Sequence, residues 1–279
     1  MTTSSPATPL RSATRVLTIE DLRVAYRSRR GDVVALAGVS IDLSAGRALA
    51  IVGESGSGKT TLIAAALGLI RRDRARIEGR VEVAGVDVAR APTRELRALR
   101  GAAVGFVGQL SFHAFDPLFP IGYQLDEAYR AHRDAPAPGR LAAVNEALAR
   151  AGLPLSPRDL ERPPHRMSGG MLQRAQVAAA LLHRPPLLLA DEPTAALDTL
   201  HQRAIADLLR GLRDDGGTAL LLATHDLALA AQVADDVLVL RDGREVERGP
   251  VRQVLERPSH PYTAELIAAH PAFAVAGGA

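Results

Sequence analysis

The segment Gly53-Glu54-Ser55-Gly56-Ser57-Gly58-Lys59-Thr60 fits the pattern of a glycine, any four residues, then Gly-Lys-Ser/Thr. Glycines let successive backbone N–H groups converge on phosphate oxygens without obstruction from Cβ atoms, and a helix opening behind them adds the positive end of its dipole. In such a loop the lysine reaches the terminal phosphates and the Thr60 hydroxyl is placed to ligate a magnesium ion; Thr61 continues the same stretch. Of the 34 basic residues in the chain, Lys59 is the one lysine and 33 are arginines. A compact ammonium on a flexible stem, where every other cation is a planar fork, singles this position out for chemistry that arginine does not do.

Two further segments carry chemistry. Residues 187–190 are a short apolar run that ends in the adjacent carboxylates Asp191 and Glu192. Beside a phosphate loop, an aspartate at a strand end can hold magnesium, usually through water, and the next carboxylate can polarise a water for attack on a phosphate. Met167-Ser168-Gly169-Gly170-Met171 lies 23 residues ahead of Asp191, counted from Ser168. A Ser-Gly-Gly that opens a helix is another anion site, or, taken alone, an ordinary N-cap.

In this order and spacing the three segments resemble the ATP-binding cassette (ABC) transporter ATPases, with residues 167–171 in the place of that family's signature loop. The resemblance runs from about Leu17 to the end. It implies ATP and Mg²⁺ as ligands, and a head-to-tail dimer in which Ser168, Gly169 and Gly170 bind the γ-phosphate held by the opposite subunit. Single positions match as well. Tyr26 resembles the aromatic that stacks on adenine, and Gln109 the glutamine that senses Mg²⁺, water and the transmembrane partner. Asp198, in Thr194-Ala195-Ala196-Leu197-Asp198, resembles the dimer-contacting loop, and His225 the histidine at the γ-phosphate. Alone, each has a plainer reading as packing, surface or structural residue; their shared order joins them. On this resemblance Glu192 is the general base, Lys59 the phosphate clamp, and Asp191, Thr60 and Gln109 the Mg²⁺ shell.

Departures from the family pattern are also informative. Met167 and Met171 stand where Leu and Gln are commonest, while Ser168 and both glycines remain; Gln109 is followed by Leu110-Ser111 where relatives often carry Asp-Pro. Residues 114–122, Met171-Leu172-Gln173-Arg174 and His260-Pro261-Tyr262-Thr263 resemble the peptide and nickel importer branch. Many peptide-type relatives carry a C-terminal cysteine cluster; this chain has no cysteine.

The elements that must position these residues follow from pattern. Residues 48–52 are continuously apolar, as in a strand buried on both faces, and run through the glycine loop into an Ala- and Leu-rich helix over 60–69. Strands are expected at 16–20, 41–43, 81–83, 103–107, 187–190 and 219–223. Helices broken by proline fill 110–167, with a loop at 135–139, and a helix runs from 170 to 183, where Pro185-Pro186 stops it. Asp242-Gly243 sets a hairpin between 237–241 and 244–247, followed by a short helical tail. The expected fold class is α/β: a P-loop ATPase core with an N-terminal antiparallel β-subdomain and an inserted α-helical subdomain. The expected organisation is a tail over 1–15 and one ATPase domain over 16–279, with the helical subdomain at about 110–183 and a C-terminal tail from about 250.

Composition narrows the function classes. Apolar residues are 47% and charged residues 23%, which excludes pervasive disorder; no uncharged apolar run approaches a bilayer span. The lack of cysteine excludes disulfide scaffolds, thiolate metal sites and cysteine nucleophiles. Residues 1–15 are Ser-, Thr- and Arg-rich but have no apolar secretory core. With 34 basic against 31 acidic residues, the surface is mixed and nucleic acid is not an expected partner.

The expectation is an ATPase subunit that energises import from the cytoplasmic face of the inner membrane. It would be peripheral there, partnered by permeases, by a second ATPase of the same or a related chain, and through the permeases by a substrate-binding protein; its cargo would be peptides, nickel or metal chelates. A soluble ABC-type ATPase acting on nucleic acid or ribosomes is the alternative. It is opposed by the single cassette and by a gap of 108 residues between Thr60 and Ser168 without sustained heptads. A non-hydrolysing scaffold is opposed by the intact Lys59, Asp191 and Glu192.

Overall fold

The computed structural model describes residues 14–133, 135–195 and 197–270. The chain opens on two long strands, β1 (Arg15–Tyr26) and β2 (Val33–Ser44), then β3 (Ala48–Val52) and helix α1 (Lys59–Ala66). Strands β4 (Ala75–Val83) and β5 (Val86–Asp87), helix α2 (Thr93–Ala102) and strand β6 (Val104–Val107) follow. A helical stretch comes next: α3 (Ile121–Arg130), α4 (Ala137–Arg150), α5 (Pro157–Leu160) and α6 (Gly169–Leu181). Strand β7 (Leu187–Asp191), helix α7 (Thr199–Gly216), strand β8 (Ala219–Thr224) and helix α8 (Leu227–Val233) alternate, before the hairpin β9 (Asp236–Arg241) and β10 (Arg244–Pro250). Helices α9 (Val251–Glu256) and α10 (Pro261–Ala268) end the described chain.

Among the described residues there are two sheets, a four-stranded one ordered β2-β1-β4-β5 and a six-stranded one ordered β10-β9-β3-β8-β7-β6. The small sheet is antiparallel throughout. In the large one β9, β3, β8, β7 and β6 run parallel, and β10 closes the edge antiparallel to β9. β3, β7 and β8 are buried along their whole length, which is why they read as unbroken apolar runs.

The period-2 alternation of a strand shows in which core each residue enters. Ala48, Ala50 and Val52 of β3, Leu188 and Ala190 of β7, and Leu220 and Leu222 of β8 join the cluster built by α3, α4, α6, α7 and α8. Leu49 and Ile51, Leu187 and Leu189, and Leu221 and Ala223 join the opposite cluster, shared with α1 and the antiparallel sheet. The large sheet is thus the middle layer between helices and a second sheet.

Some sequence expectations need correction at their ends. Residues 16–20 and 41–43 are parts of two twelve-residue strands paired to each other, and Arg15, assigned to the tail, already pairs with Ser44. The rest of that tail, 1–13, and residues 271–279 lie outside the described residues. The loop over 135–139 is shorter than expected, because α4 begins at Ala137 and takes Pro138 into its first turn. Proline there lacks only an N–H that a first turn leaves unpaired anyway, so the same residue that signals a loop also starts a helix. Asp242 and Gly243 both have positive φ, as the two-residue hairpin requires.

Candidate active site

The glycine loop, Gln109, Asp191, Glu192 and His225 sit at the C-terminal ends of the parallel strands. The glycine loop follows β3, Gln109 follows β6, Asp191 ends β7 with Glu192 next, and His225 follows β8. Because β8 lies between β3 and β7, the loop, His225 and the two carboxylates are neighbours in space although far apart in sequence. Open parallel sheets bind ligands in the crevice at this edge. Here the crevice is a cleft of about 700 Å³ lined by the loop from Gly53 to Gly56, Gly58 to Thr61, Gln109, Glu192 and His225.

The loop geometry depends on glycine. Gly58 has φ of 111°, and a Cβ there would stand 2.6 Å from the Ala35 carbonyl oxygen and 2.9 Å from Leu36 Cδ2. Gly56 has φ of 84° and only open space where its Cβ would be, so a cradle remains that a side chain would fill. Lys59 folds back across the loop: Nζ donates to the Gly53 carbonyl at 2.7 Å and to the Glu54 carbonyl at 2.9 Å, which leaves the third N–H for a ligand. Burial lowers the Lys59 pKa, against the opposing pull of the Glu192 and Asp191 carboxylates.

Asp191 is 8% exposed, and its Oδ1 is buried without a partner. Burial raises its pKa, with the Glu192 charge acting the same way; a hydrogen bond from the Thr60 hydroxyl and the Lys59 charge oppose the rise. A buried acceptor with an unmade bond, beside a hydroxyl already turned to the same carboxyl, is the donor set of a hard cation. Among the described residues no group of three or more His, Asp or Glu could hold a metal by itself. A cation here would complete its shell from water and ligand phosphates, as magnesium does.

Glu192 is held in an unusual backbone conformation for its type, with φ of 50°. Its N–H donates to the Ala223 carbonyl at 2.8 Å, which ties the turn after β7 to the end of β8. Its Oε2 lies 2.8 Å from His225 Nδ1 and 3.5 Å from the Thr224 hydroxyl. A carboxylate with one face on an imidazole and the other on the cleft can accept a proton from a bound water.

Not every sequence-selected residue is in this cleft. Ser168 caps α6, its hydroxyl accepting from the Met171 N–H at 3.2 Å; neither it nor Gly169 and Gly170 lines the cleft. Asp198 caps α7 and also stands apart. These two loops are joined by a residue that sequence reading passed over. His201 places Nδ1 2.8 Å from Asp198, and its ring fills the space beside Gly170, where a Cβ would come within 2.2 Å of His201 Cδ2. The His201 N–H and ring hold the Asp198 carboxyl below its usual pKa. Tyr26 ends β1 opposite Val33 and Ala75, half-buried against the apolar cluster and outside the cleft lining. The cleft also has a wall absent from the sequence expectation, Leu266, Ala269 and His270 at the end of the described chain.

Comparison with known proteins bears on this geometry. Residues 36–195 match the family profile described as ABC transporter. Over 262 residues the chain is 39% identical to a protein of Brucella ovis described as a candidate peptide import ATP-binding protein, covering 92% of this chain and 78% of that one. It is 35% identical over 263 residues to the glutathione import ATP-binding protein GsiA of Escherichia coli, covering 92% of this chain and 42% of the relative. Among solved structures, the dimeric ATP-binding cassette MJ0796 in a post-hydrolysis state with ADP and Pi superposes with a TM-score of 0.74 at 28% identity, over 85% of this chain and 99% of that one.

Proposed function

The chain belongs to the ABC transporter family, and from that premise we propose that it is the ATP-binding and ATP-hydrolysing subunit of an importer. The observation that carries the reading is the convergence of Lys59, Thr60, Gln109, Glu192 and His225 on one cleft at the C-terminal strand edge, with Glu192 against His225 and the buried Asp191 carboxyl behind Thr60.

The roles follow from the geometry. The loop amides from Gly56 onward and the third Lys59 N–H bind the β- and γ-phosphates. Thr60 and Asp191, with Gln109 on the same side, would hold Mg²⁺, which when bound would supply charge to neutralise phosphate oxygens. Glu192 takes the proton of the attacking water. His225, fixed through its Nδ1 contact to Glu192, orients that carboxylate and presents its other nitrogen to the γ-phosphate.

Ser168, Gly169, Gly170 and Asp198 lie outside the subunit's own cleft, so they act on the nucleotide of a second ATPase subunit in a head-to-tail dimer. Support for that arrangement is the dimeric cassette of similar fold. The dimer closes around ATP and opens after hydrolysis, a two-state element whose balance the nucleotide sets.

The transmembrane partner would dock beside Gln109. Leu110, Phe112, Leu118, Phe119 and Tyr123 are all exposed there, and the Phe119 and Tyr123 rings stack at 5.5 Å. Gln124 ties that loop, accepting from the Asp116 N–H and donating to the Asp116 and Phe119 carbonyls, so the apolar side chains are presented on a fixed frame. No helix among the described residues is long and apolar enough to cross a membrane. In the importer reading, which the import ATP-binding relatives support, the translocation path belongs to permease subunits, with this chain peripheral on their cytoplasmic side. A substrate-binding protein would deliver cargo to them. The names of the relatives favour peptides, glutathione included, over nickel.

The test is to recover the protein from mildly solubilised membranes carrying Glu192→Gln. Loss of a positioned base lowers turnover by about 10²- to 10⁴-fold while leaving ATP bound. Permeases and a second ATPase subunit are expected in the complex. Recovery with ribosomes or nucleic acid alone refutes the importer reading, and unchanged turnover refutes the role of Glu192.

A further inference from the structure

The segment His260-Pro261-Tyr262-Thr263 has no part in the mechanism above, yet it touches the phosphate loop. Tyr262, 3% exposed, sits in the first turn of α10, and its hydroxyl accepts a hydrogen bond from the Glu54 N–H at 3.3 Å, across 208 residues of sequence. Its ring is held from one side by Arg241, whose guanidinium carbon lies 4.5 Å from the ring centre. The helix start is held as well. The Glu247 carboxylate accepts from the N–H groups of Ser259 at 2.7 Å and His260 at 3.1 Å, and the His260 ring accepts from the Tyr262 N–H. At the other end of α10, His270 Nε2 is 3.4 Å from the carboxylate of Asp226, the N-cap of α8 directly after His225.

The helix therefore bridges both sides of the nucleotide cleft, from the first non-glycine residue of the phosphate loop to the turn that carries His225. The Glu54 side chain is exposed and its carbonyl accepts from Lys59 and from the Ser57 N–H, so Tyr262 is what holds its N–H. If its N–H had no fixed acceptor, the start of the loop could rotate and the amides of the cradle would lose their common focus.

We propose that Tyr262 is a positioning residue for the ATPase, its hydroxyl holding the Glu54 amide so that the phosphate loop is preorganised before ATP arrives. This rests on the ATPase reading and deepens it. The bond is made in the empty protein and occupies an amide outside the stretch from Gly56 onward assigned to the phosphates, so its loss weakens nucleotide binding, while bound ATP itself restores the cradle.

Tyr262→Phe keeps the ring, the apolar packing and the Arg241 contact, and removes one oxygen. In a Glu192→Gln background that prevents turnover, calorimetric titration with ATP and magnesium is expected to show affinity lower by about fivefold to tenfold, the range of one lost hydrogen bond. Hydrogen exchange at the amides of residues 56–58, which do not bond Tyr262, should quicken in the nucleotide-free variant and return to the parent rate once ATP is bound. A purely structural role would lower the melting temperature and leave both readouts unmoved. Equal affinity and equal exchange in parent and variant overturn the inference. Failure of the Glu192→Gln parent to bind ATP overturns instead the nucleotide reading on which it stands.

Discussion

Replacing Asp191 by Asn is expected to make the nucleotide-free protein more stable while abolishing its magnesium-dependent turnover. The carboxylate is 8% exposed, one oxygen is buried without a partner, and burial is the largest influence on its pKa, raising it above 3.8. An acid whose folded-state pKa is raised costs stability at every pH above its unfolded value, and the cost is relieved as pH falls through the folded value. An unpaired buried acceptor costs about 1–3 kcal/mol. Asn removes the charge but brings N–H donors of its own, and it takes from the buried Lys59 one of its two nearby anions. The net gain is then about 1 kcal/mol, or about 2 °C in melting temperature for a domain of this size. Thermal melts in EDTA at neutral and at mildly acidic pH read it out. The variant should melt higher at neutral pH, the gap should close as the wild-type carboxyl protonates, and saturating ATP with magnesium should reverse the order. A variant that melts lower in EDTA at neutral pH, or a gap indifferent to pH, would refute the account of Asp191 as a carboxylate held for a cation.

Lys59→Arg tests whether the solitary lysine is required: a guanidinium cannot enter a site that is 7% exposed and donate to both the Gly53 and Glu54 carbonyls, so ATP affinity by calorimetry should fall at least about tenfold. Gly170→Ala drives a Cβ to within 2.2 Å of the His201 ring and should cost about 1–3 kcal/mol in urea denaturation. In a His201→Ala background the same substitution should cost less than about 0.5 kcal/mol, and equal penalties in both backgrounds would show that His201 does not press on the signature turn.

How far the sequence disclosed the site depends on how local each feature is. The glycine loop and the Asp191-Glu192 pair were legible because each is contiguous with the strand that aims it: an apolar run fixes the strand, and the loop must leave from its end. The hairpin at Asp242-Gly243 was legible for the same reason. The proline at 138 was misread because one residue type serves both a loop and a first helical turn. Long-range closures left no local trace. His201 touching Gly170 and Tyr262 capping the Glu54 amide are contacts between residues that are ordinary in their own neighbourhoods, and only the folded sheet order brings them together. Tyr26 stands between the two cases: its place in the chain joins it to the site, and in the empty protein its side chain is half-buried against the core under the antiparallel sheet.

The same sheet order explains why one subunit is catalytically incomplete in the proposed mechanism. Interposing β8 between β3 and β7 sets side by side the strand ends that carry Lys59, Asp191, Glu192 and His225, with Glu192 2.8 Å from His225. It leaves α6 and α7 to start outside that cleft, with Gly170 of the first turn packed against the His201 ring, whose Nδ1 pairs with Asp198, the cap of the second. In the proposed dimer these two turns, in contact through His201, would move together. A nucleotide brought to Ser168 by a second subunit would then be felt at Asp198 through His201, and closing the dimer would present both loops together. Uncoupling them by His201→Ala should therefore lower the cooperativity of turnover with respect to ATP more than it lowers ATP affinity, whereas equal losses in both would place His201 in the fold alone.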